Sequence, residues 1–123
     1  MSAGNKPIGA RLRIVLGPDI AIGPGKADIL EAIRESRSIA AAGRRLGMSY
    51  KRAWLLVESM NACFKYPLVE TSRGGQTRGG AGLTPDGEKV LACYRRMEAL
   101  TEKAIGNEMA KLQVMMADIS KRK

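Results

Sequence analysis

Residues 38–63 carry the feature that most restricts how this chain can fold: two helical segments joined by a short glycine-containing turn. Ser38 is a suitable N-cap for the first segment, IAAAGRRL, which Gly47 ends. Ser49 is a suitable N-cap for the second segment, which runs to about Cys63. Two short helices in this arrangement, the second beginning with basic residues, predict a helix-turn-helix unit.

The second helix of this unit has two different faces. Three- and four-residue spacing predicts one buried face, made of Ala53, Val57, Met60 and Phe64. An α-helix fits the major groove of DNA, and side chains near its N-terminus reach the base edges. We therefore predict that this helix contacts DNA through Ser49, Tyr50, Lys51, Arg52 and Leu55.

A glycine-rich β-hairpin is predicted after the second helix. Leu68 to Thr71 is its first strand, Ser72 to Gly80 (SRGGQTRGG) its loop, and Ala81 to Leu83 its returning strand. Because glycine lets a backbone approach phosphate closely and arginine supplies positive charge, the loop is expected to cross the DNA backbone or enter the minor groove. The predicted contacts of this wing are Arg73, Gln76, Thr77 and Arg78. A hairpin with no partner is the alternative.

The charge balance indicates a polyanionic partner, either nucleic acid or an anionic membrane surface. Twenty-one Lys and Arg residues against twelve Asp and Glu residues give a formal net charge of +9. From Arg37 to Arg52 inclusive there are five basic residues and no acidic one, and four of the five lie within the predicted helix-turn-helix unit. A basic face that contacts only solvent is the alternative explanation.

The residue patterns that catalysis or metal binding requires are absent from the sequence. There is no histidine, and Cys63 and Cys93 have no neighbouring Cys or His at zinc-site spacing. In the glycine-rich loop, Gly80 stands where a nucleotide-binding loop has its lysine. We therefore expect no catalytic residue, no metal site and no cofactor. The remaining acidic cluster is interpreted as an exposed face of one helix, formed by Asp28, Glu31 and Glu35.

The segment before the helix-turn-helix unit predicts one strand and one helix. Residues 11–16 (RLRIVL) alternate basic and apolar residues, which is typical of a half-exposed strand. Turns follow at Gly17-Pro18 and at Gly23-Pro24-Gly25. A helix from about Lys26 to Ser36 is expected to bury Ile29, Leu30 and Ile33.

The last segment predicts a helix that is too long for a domain of this size. Thr84 is a suitable N-cap, Pro85 suits the first helical position, and the helical pattern continues to about Ser120. An apolar stripe that extends beyond its own domain needs a partner, and a second copy of the chain is the simplest one. The alternative is a break at Gly106, after which the helix folds back. The predicted dimerisation residues are Leu91, Tyr94, Met97, Thr101, Ile105 and Leu112.

Together these patterns predict a mainly α-helical protein with a small β-hairpin, a winged helix-turn-helix with a long C-terminal dimerisation helix. We divide it into a flexible N-terminal arm (residues 1–10), the winged domain (11–87), and the dimerisation helix with a basic tail (88–123). No stretch approaches the ~20 apolar residues that span a bilayer, and no signal peptide is recognisable. A cytoplasmic protein with reduced thiols and no membrane contact is expected.

Two segments of the chain resemble a known family. SIAAAGRRLGMSYKRAW (residues 38–54) and LVETSRGGQTRGGAGLTPDG (residues 68–87) look like the N-terminal DNA-binding domain of the molybdate-responsive ModE family, and more distantly like the winged helix of the LysR regulators. The resemblance implies a dimer, held by the first and last helices, that binds a palindromic operator. It also implies that residues 49–52 read DNA and that residues 73–78 form the wing. ModE binds molybdate in additional C-terminal domains; because this chain ends at Lys123 we expect no molybdate-binding domain, and its effector is unknown.

The function that we predict is therefore sequence-specific binding of double-stranded DNA by a homodimeric transcription regulator. The alternative is a protein-interaction or docking module that keeps the winged-helix fold. In that case the long helix and its methionine-rich end would provide an adaptable apolar surface, through Met109, Met115 and Met116.

Overall fold

The computed structural model describes residues 9–72 and 80–116, and these form helices and two short antiparallel hairpins. The elements are β1 (Ile14–Gly17), β2 (Ile20–Ile22), α1 (Pro24–Ser36), α2 (Ile39–Arg45), α3 (Tyr50–Cys63), β3 (Val69–Ser72), β4 (Gly80–Leu83) and α4 (Pro85–Met115). The predicted class, mainly α-helical with a small β-hairpin, is confirmed. Most of the predicted N-terminal arm and the predicted basic tail lie outside the described residues.

The N-terminal hairpin differs from the sequence prediction. We predicted a single strand over residues 11–16, whereas β1 begins at Ile14 and pairs with β2, which the sequence analysis missed. Val15 lies opposite Ala21, and the register shifts between Val15 and Gly17. A three-residue strand is too short to show a period of two, so only its pairing with β1 identifies it. This hairpin brings Ile22 into the core, where it is 3% exposed.

The core is built around α1. Its side chains Ile29, Leu30 and Ile33 are fully buried, as the three- and four-residue spacing predicted. On α3 the predicted face is also buried at Ala53, Val57 and Met60, whereas Phe64, at the end of the helix, is half-buried. The second hairpin, formed by β3 and β4, completes this core together with α4. Leu68 and Val69 come from the start of this hairpin, and Leu91 and Tyr94 come from α4.

The three predicted N-caps each hold the start of a helix. Ser38 Oγ accepts a hydrogen bond from Ala41 N at 3.0 Å, and Ser49 Oγ accepts one from Arg52 N at 3.1 Å. Thr84 Oγ1 accepts one from Gly87 N at 2.9 Å. These bonds satisfy backbone donors that have no partner inside their own helix, so α2, α3 and α4 begin where the sequence indicated.

Leu68 connects α3, the second hairpin and α4. Its backbone N–H donates to Asn61 Oδ1 at 2.8 Å, and its carbonyl oxygen accepts a hydrogen bond from Thr84 N at 3.0 Å. The backbone of Gly87 passes so close to Leu68 that a Cβ built on this glycine would lie 2.1 Å from the Leu68 carbonyl oxygen. Only glycine permits this approach of α4 to the hairpin.

Helix α4 runs without interruption through Gly106 and ends at Met115. The alternative of a break at Gly106 is therefore wrong. One exposed glycine destabilises a helix by only about 1 kcal/mol relative to alanine. This is too little to end a helix that has several helical turns on each side of the glycine. The predicted end near Ser120 was placed too late, since Met116 already has an extended backbone.

The interpretation of Asp28, Glu31 and Glu35 as one exposed acidic face is wrong for Asp28. This residue is 6% exposed, and Arg95 of α4 binds both Asp28 and Glu31. Only Glu35 is exposed, and it forms an ion pair with Arg45 of α2. Sequence spacing within α1 cannot show that an arginine 67 residues away covers this face.

Tyr94 lies in the centre of the core, with its ring fully buried and its hydroxyl donating a hydrogen bond to the Leu12 carbonyl oxygen at 2.5 Å. Burial, and to a smaller extent the negative charge of Glu98, raise the pKa of the Tyr94 phenol to about 12. The folded protein therefore favours the neutral phenol, and the stability this provides is lost as the pH rises from about 10 to about 12.

Replacing Tyr94 by Phe is expected to have an effect that depends on pH. Below the ordinary tyrosine pKa, Tyr94→Phe loses one buried hydrogen bond and about 1 kcal/mol of unfolding free energy. Above about pH 10, the wild type loses stability because Tyr94 ionises more readily in the unfolded chain than in the folded one. The unfolding free energy of the wild type minus that of Tyr94→Phe therefore falls by up to about 2 kcal/mol. Denaturant unfolding of both proteins, at pH values from below 10 to about 12, measures this difference in unfolding free energy. Tyr66→Phe, at an exposed tyrosine, is the control, and a difference for Tyr94→Phe that is constant with pH would contradict the expectation.

Candidate nucleic-acid interface

The turn between α2 and α3 is tight because two glycines allow it. Gly47 has a φ of 74°, a conformation that favours glycine, and Met48 N donates to the Gly43 carbonyl oxygen at 2.9 Å. A Cβ on Gly43 would lie 3.1 Å from Ala53 Cβ, so the two helices pack closely at this point. The first turn of α3 is thereby fixed against α2 and projects away from the core.

The first turn of α3 presents the predicted DNA-reading residues to solvent. The side chains of Tyr50, Lys51 and Arg52 are exposed, and Leu55 is 53% exposed on the next turn. Ser49 is the N-cap, so its oxygen is already an acceptor while its hydroxyl hydrogen is free to donate. The Tyr50 ring stacks on Trp54, with centroids 6.4 Å apart and planes 19° apart, which holds the tyrosine against the helix.

The second hairpin forms where it was predicted, except that Ser72 and Gly80, predicted as loop, belong to its strands and Leu68 precedes them. Val69 pairs with Leu83 and Ser72 with Gly80, so the two strands are in register up to the loop. Ala81 N donates to the Arg37 carbonyl oxygen at 3.0 Å, which ties β4 to the corner between α1 and α2. The predicted wing contacts Arg73, Gln76, Thr77 and Arg78 lie outside the described residues.

One groove joins the start of α2, the start of α3 and the loop end of the hairpin strands. Its lining comes from all three elements and consists of Ile39, Ala40, Tyr50, Trp54, Thr71, Ser72 and Gly80. The beginning of α3 and the base of the predicted wing therefore lie on the same side of the molecule. The sequence analysis missed Thr71 and Ser72 as members of this surface, because only the fold places these residues beside the start of α3, a helix that ends six residues before their strand begins.

Exposed basic side chains lie on the elements around this groove. Arg37 lies at the corner beside the hairpin, and Lys51 and Arg52 lie on the first turn of α3. The surface is not uniformly positive, since Glu70 of β3 lies near Arg37. Arg45 is partly neutralised by Glu35, whose oxygen lies 2.7 Å from its guanidinium. The arrangement places an exposed basic helix start next to a hairpin, and such a pair of elements can bind the grooves and backbone of duplex DNA.

A family model described as "Bacterial regulatory helix-turn-helix protein, lysR family" matches residues 26–88, which include most of α1, the helix-turn-helix unit and the second hairpin. The chain belongs to this family. The resemblance inferred from residues 38–54 and 68–87 is confirmed, and so is the winged helix-turn-helix fold.

Several curated proteins are similar to this LysR-type domain. The molybdenum-pterin-binding protein MopB of Rhodobacter capsulatus is 39% identical over 98 residues, which are 80% of this chain and 36% of MopB. MopA of the same organism is 37% identical over 101 residues, or 82% of this chain and 38% of MopA. The transcriptional regulator ModE of Haemophilus influenzae is 36% identical over 93 residues, or 76% and 36%. The chain thus spans little more than a third of the length of these relatives.

Among solved structures, the crystal structure of the CbnR_DBD–DNA complex has a similar fold. It superposes with a TM-score of 0.57 and 24% sequence identity, covering 72% of this chain and 95% of that one. At this identity the likeness shows the fold alone. Within the part of the chain that the structure describes, no helix is both long and apolar enough to cross a membrane.

The six predicted dimerisation residues of this LysR-type domain fall into two groups. Leu91 and Tyr94 are 2% and 0% exposed in the single chain, because they complete the domain's own core. They have no side-chain surface left for a second copy, and we leave them out of the interface. The other four lie further along α4 and are half-buried or exposed: Met97, Thr101, Ile105 and Leu112.

Proposed function

We propose that this LysR-type domain binds double-stranded DNA sequence-specifically as a homodimer and regulates transcription in the bacterial cytoplasm. The observation that carries the proposal is the groove, because it joins the exposed first turn of α3 to the loop end of the hairpin strands. With α3 in a major groove, a hairpin on the same side of the molecule reaches the adjacent sugar-phosphate backbone. The wing contacts from residues 73–78 remain a prediction.

The residues at the start of α3 divide by their chemistry. The Arg52 guanidinium and the Lys51 ammonium can donate to guanine O6 and N7, which is the commonest specific contact in the major groove. The hydroxyls of Ser49 and Tyr50 can donate to phosphate oxygens, which positions the helix without reading sequence. Leu55, half-exposed one turn further, suits contact with a thymine methyl group.

Dimerisation is proposed through the second half of α4. Ile105, Met109 and Leu112 recur at four- and three-residue spacing, and Met116 continues the pattern immediately after the helix ends. Such spacing forms the apolar seam of a two-stranded coiled coil. Because the buried residues of α4 end at Tyr94, the seam further along the helix is available to an identical helix of a second copy.

Arg52→Ala is expected to weaken binding to the preferred DNA sequence by about ten- to a hundredfold, because a bidentate base contact is lost. Binding to unrelated duplexes is expected to change by less than about threefold, since phosphate contacts provide most non-specific affinity. The preferred sequence is first selected from a random duplex library with the wild-type protein, and titrations at fixed salt then compare the variants.

The matched control for this experiment is Arg96→Ala, which removes the same charge from an exposed position on α4. It is expected to leave both affinities unchanged. An equal loss for Arg52→Ala on all sequences would make Arg52 a phosphate contact and contradict its proposed role. Wild-type binding no tighter than millimolar to every duplex at low salt would contradict the proposed function itself.

A docking module is the second candidate, and exposed apolar side chains at the end of α4 favour it. Val114 is 84% exposed and Met115 is 79% exposed, and neither belongs to the spacing of the proposed dimer seam. A chain ending after Gly106 separates the candidates. If it loses dimerisation and DNA binding together, the regulator is favoured; a DNA-binding dimer that no longer binds a partner protein favours the docking module.

A further inference from the structure

An unusual group of charges joins α4 to α1 just beyond the core. Arg95 NH2 lies 3.0 Å from Asp28 Oδ1 and 2.8 Å from Glu31 Oε1, and Arg95 Nε donates to the same Glu31 oxygen at 3.1 Å. Arg95 NH1 donates to Glu98 Oε1 at 3.0 Å. All three donor nitrogens of the guanidinium are therefore used, and its planar fork fixes the direction from which α1 approaches α4.

These four charged side chains are not an efficient way to stabilise the fold. One guanidinium faces three carboxylates, and all four side chains are at most a third exposed. Burial raises the pKa of Asp28 in spite of its hydrogen bond to Arg95, so the ionised carboxylate is costly at this position. Apolar residues of similar volume often stabilise a protein as well as such ion pairs do. What a forked ion pair provides, and apolar packing does not, is a defined relative orientation.

Arg95 lies where a small change in the angle between α4 and α1 moves the far end of α4 by a large distance. The buried residues of α4 are Gly87, Leu91 and Tyr94, all in its first three turns, and the Arg95 guanidinium lies 6.0 Å from the Tyr94 ring centre. From Arg95 the helix continues to Met115. At about 1.5 Å per residue this segment is about 30 Å long, so tilting it by about 10° moves its end by about 5 Å. One base-pair step is about 3.4 Å. In a dimer formed through α4, a small tilt would therefore change the distance between the two copies of α3 by a base-pair step or more.

We propose that Arg95 is a positioning residue that sets the spacing of the two DNA half-sites the dimer accepts. Through Asp28 and Glu31 it fixes the angle between α4 and α1, and α1 carries the helix-turn-helix unit. Since α4 also carries the proposed dimer seam, this angle determines the distance and rotation between the two copies of α3. The inference rests on the proposed function, because it requires a DNA-binding dimer.

The test uses the full chain and palindromic duplexes. Half-sites are first selected from random DNA with the wild type, and their separation is then varied by one to three base pairs in both directions. The wild type is expected to prefer one spacing by at least about tenfold over its neighbours, because other spacings require DNA deformation. Arg95→Met, which keeps the length of the side chain and loses the fork, is expected to reduce that preference to less than about threefold or to move it to a new spacing.

Three further proteins make the outcome decisive. Arg96→Met is the matched control and is expected to keep the wild-type spacing profile. If Arg95→Met does not fold, Arg95→Lys, which keeps the charge without the fork, is measured instead with the same expectation. A third variant combines Arg95→Met with Asp28→Asn and Glu31→Gln, which restores stability by removing unpaired carboxylates but does not restore the profile.

A folded Arg95 variant with lower affinity at every spacing and an unchanged optimum would overturn the proposal and leave Arg95 a purely structural role. Recovery of the wild-type profile in the triple variant would overturn it as well. Absence of wild-type binding to any duplex would instead contradict the proposed function, so the two failures are distinguishable.

Discussion

Gly87→Ala is expected to destabilise the protein by about 3 kcal/mol or more, because the added methyl group has no space. Its Cβ would lie 2.1 Å from the Leu68 carbonyl oxygen, which is backbone and cannot move without breaking its hydrogen bond from Thr84 N. Relief of the contact requires α4 to separate from the hairpin, which also exposes Leu91. For a domain of this size the melting temperature is expected to fall by at least about 10 °C.

Gly106→Ala is the matched control, since it makes the same substitution in the same helix. Nothing lies within 4 Å of the position that the new Cβ would occupy, so the only effect is on helix propensity. Its expected result has the opposite sign, a stabilisation of about 0.5 to 1 kcal/mol. Thermal and denaturant unfolding of both variants measure the two effects. Similar stability of Gly87→Ala and the wild type would show that the α4 start is not seated against the hairpin as described.

Leu112→Glu is expected to convert the proposed dimer into a monomer and to lower affinity for a palindromic operator by at least about a hundredfold. Leu112 is 65% exposed in the single chain, so the substitution leaves the domain core intact. In the seam, however, it places two like charges against each other in an apolar environment. A monomer loses the increase in affinity that a dimer obtains by binding two half-sites at once. This increase is typically about 10²- to 10⁴-fold.

Gln113→Glu is the control for this experiment, because it introduces the same acidic group one residue further round the exposed helix. It is expected to remain a dimer. Sedimentation measures the association state, and titrations compare a palindromic duplex with a single half-site. A Leu112→Glu protein that remains dimeric would refute the proposed seam, whereas a monomer with wild-type affinity for the palindrome would show that DNA binding does not use a dimer.

The helices and their first residues could be predicted from the sequence because the signals for them are local. Ser38, Ser49 and Thr84 each accept a hydrogen bond from a backbone N–H three residues ahead, as expected of an N-cap. The buried face of α1 follows from its own apolar spacing. Strand β2 was missed because three residues show no periodicity, and α4 was assigned too many residues because helix propensity does not mark its end.

The candidate interface could be predicted only in part. The first turn of α3 was identified because a cap, a basic segment and a turn occur together in a short sequence. The contribution of Thr71 and Ser72 was missed, since it depends on the packing of β3 beside α3. The proposed dimer residues were taken from one stripe, and sequence spacing cannot show that its first part belongs to the domain's own core.

The helix-turn-helix unit with which the sequence analysis began was determined by the sequence itself, because caps, turn glycines and apolar spacing act over a few residues. Only the tertiary structure decided how α4 is used. Its first turns bury Leu91 and Tyr94, Arg95 binds carboxylates of α1, and the side chains of Leu112 and Val114 near its end stay exposed in the single chain. These outcomes depend on contacts between residues more than sixty positions apart, which no local pattern records.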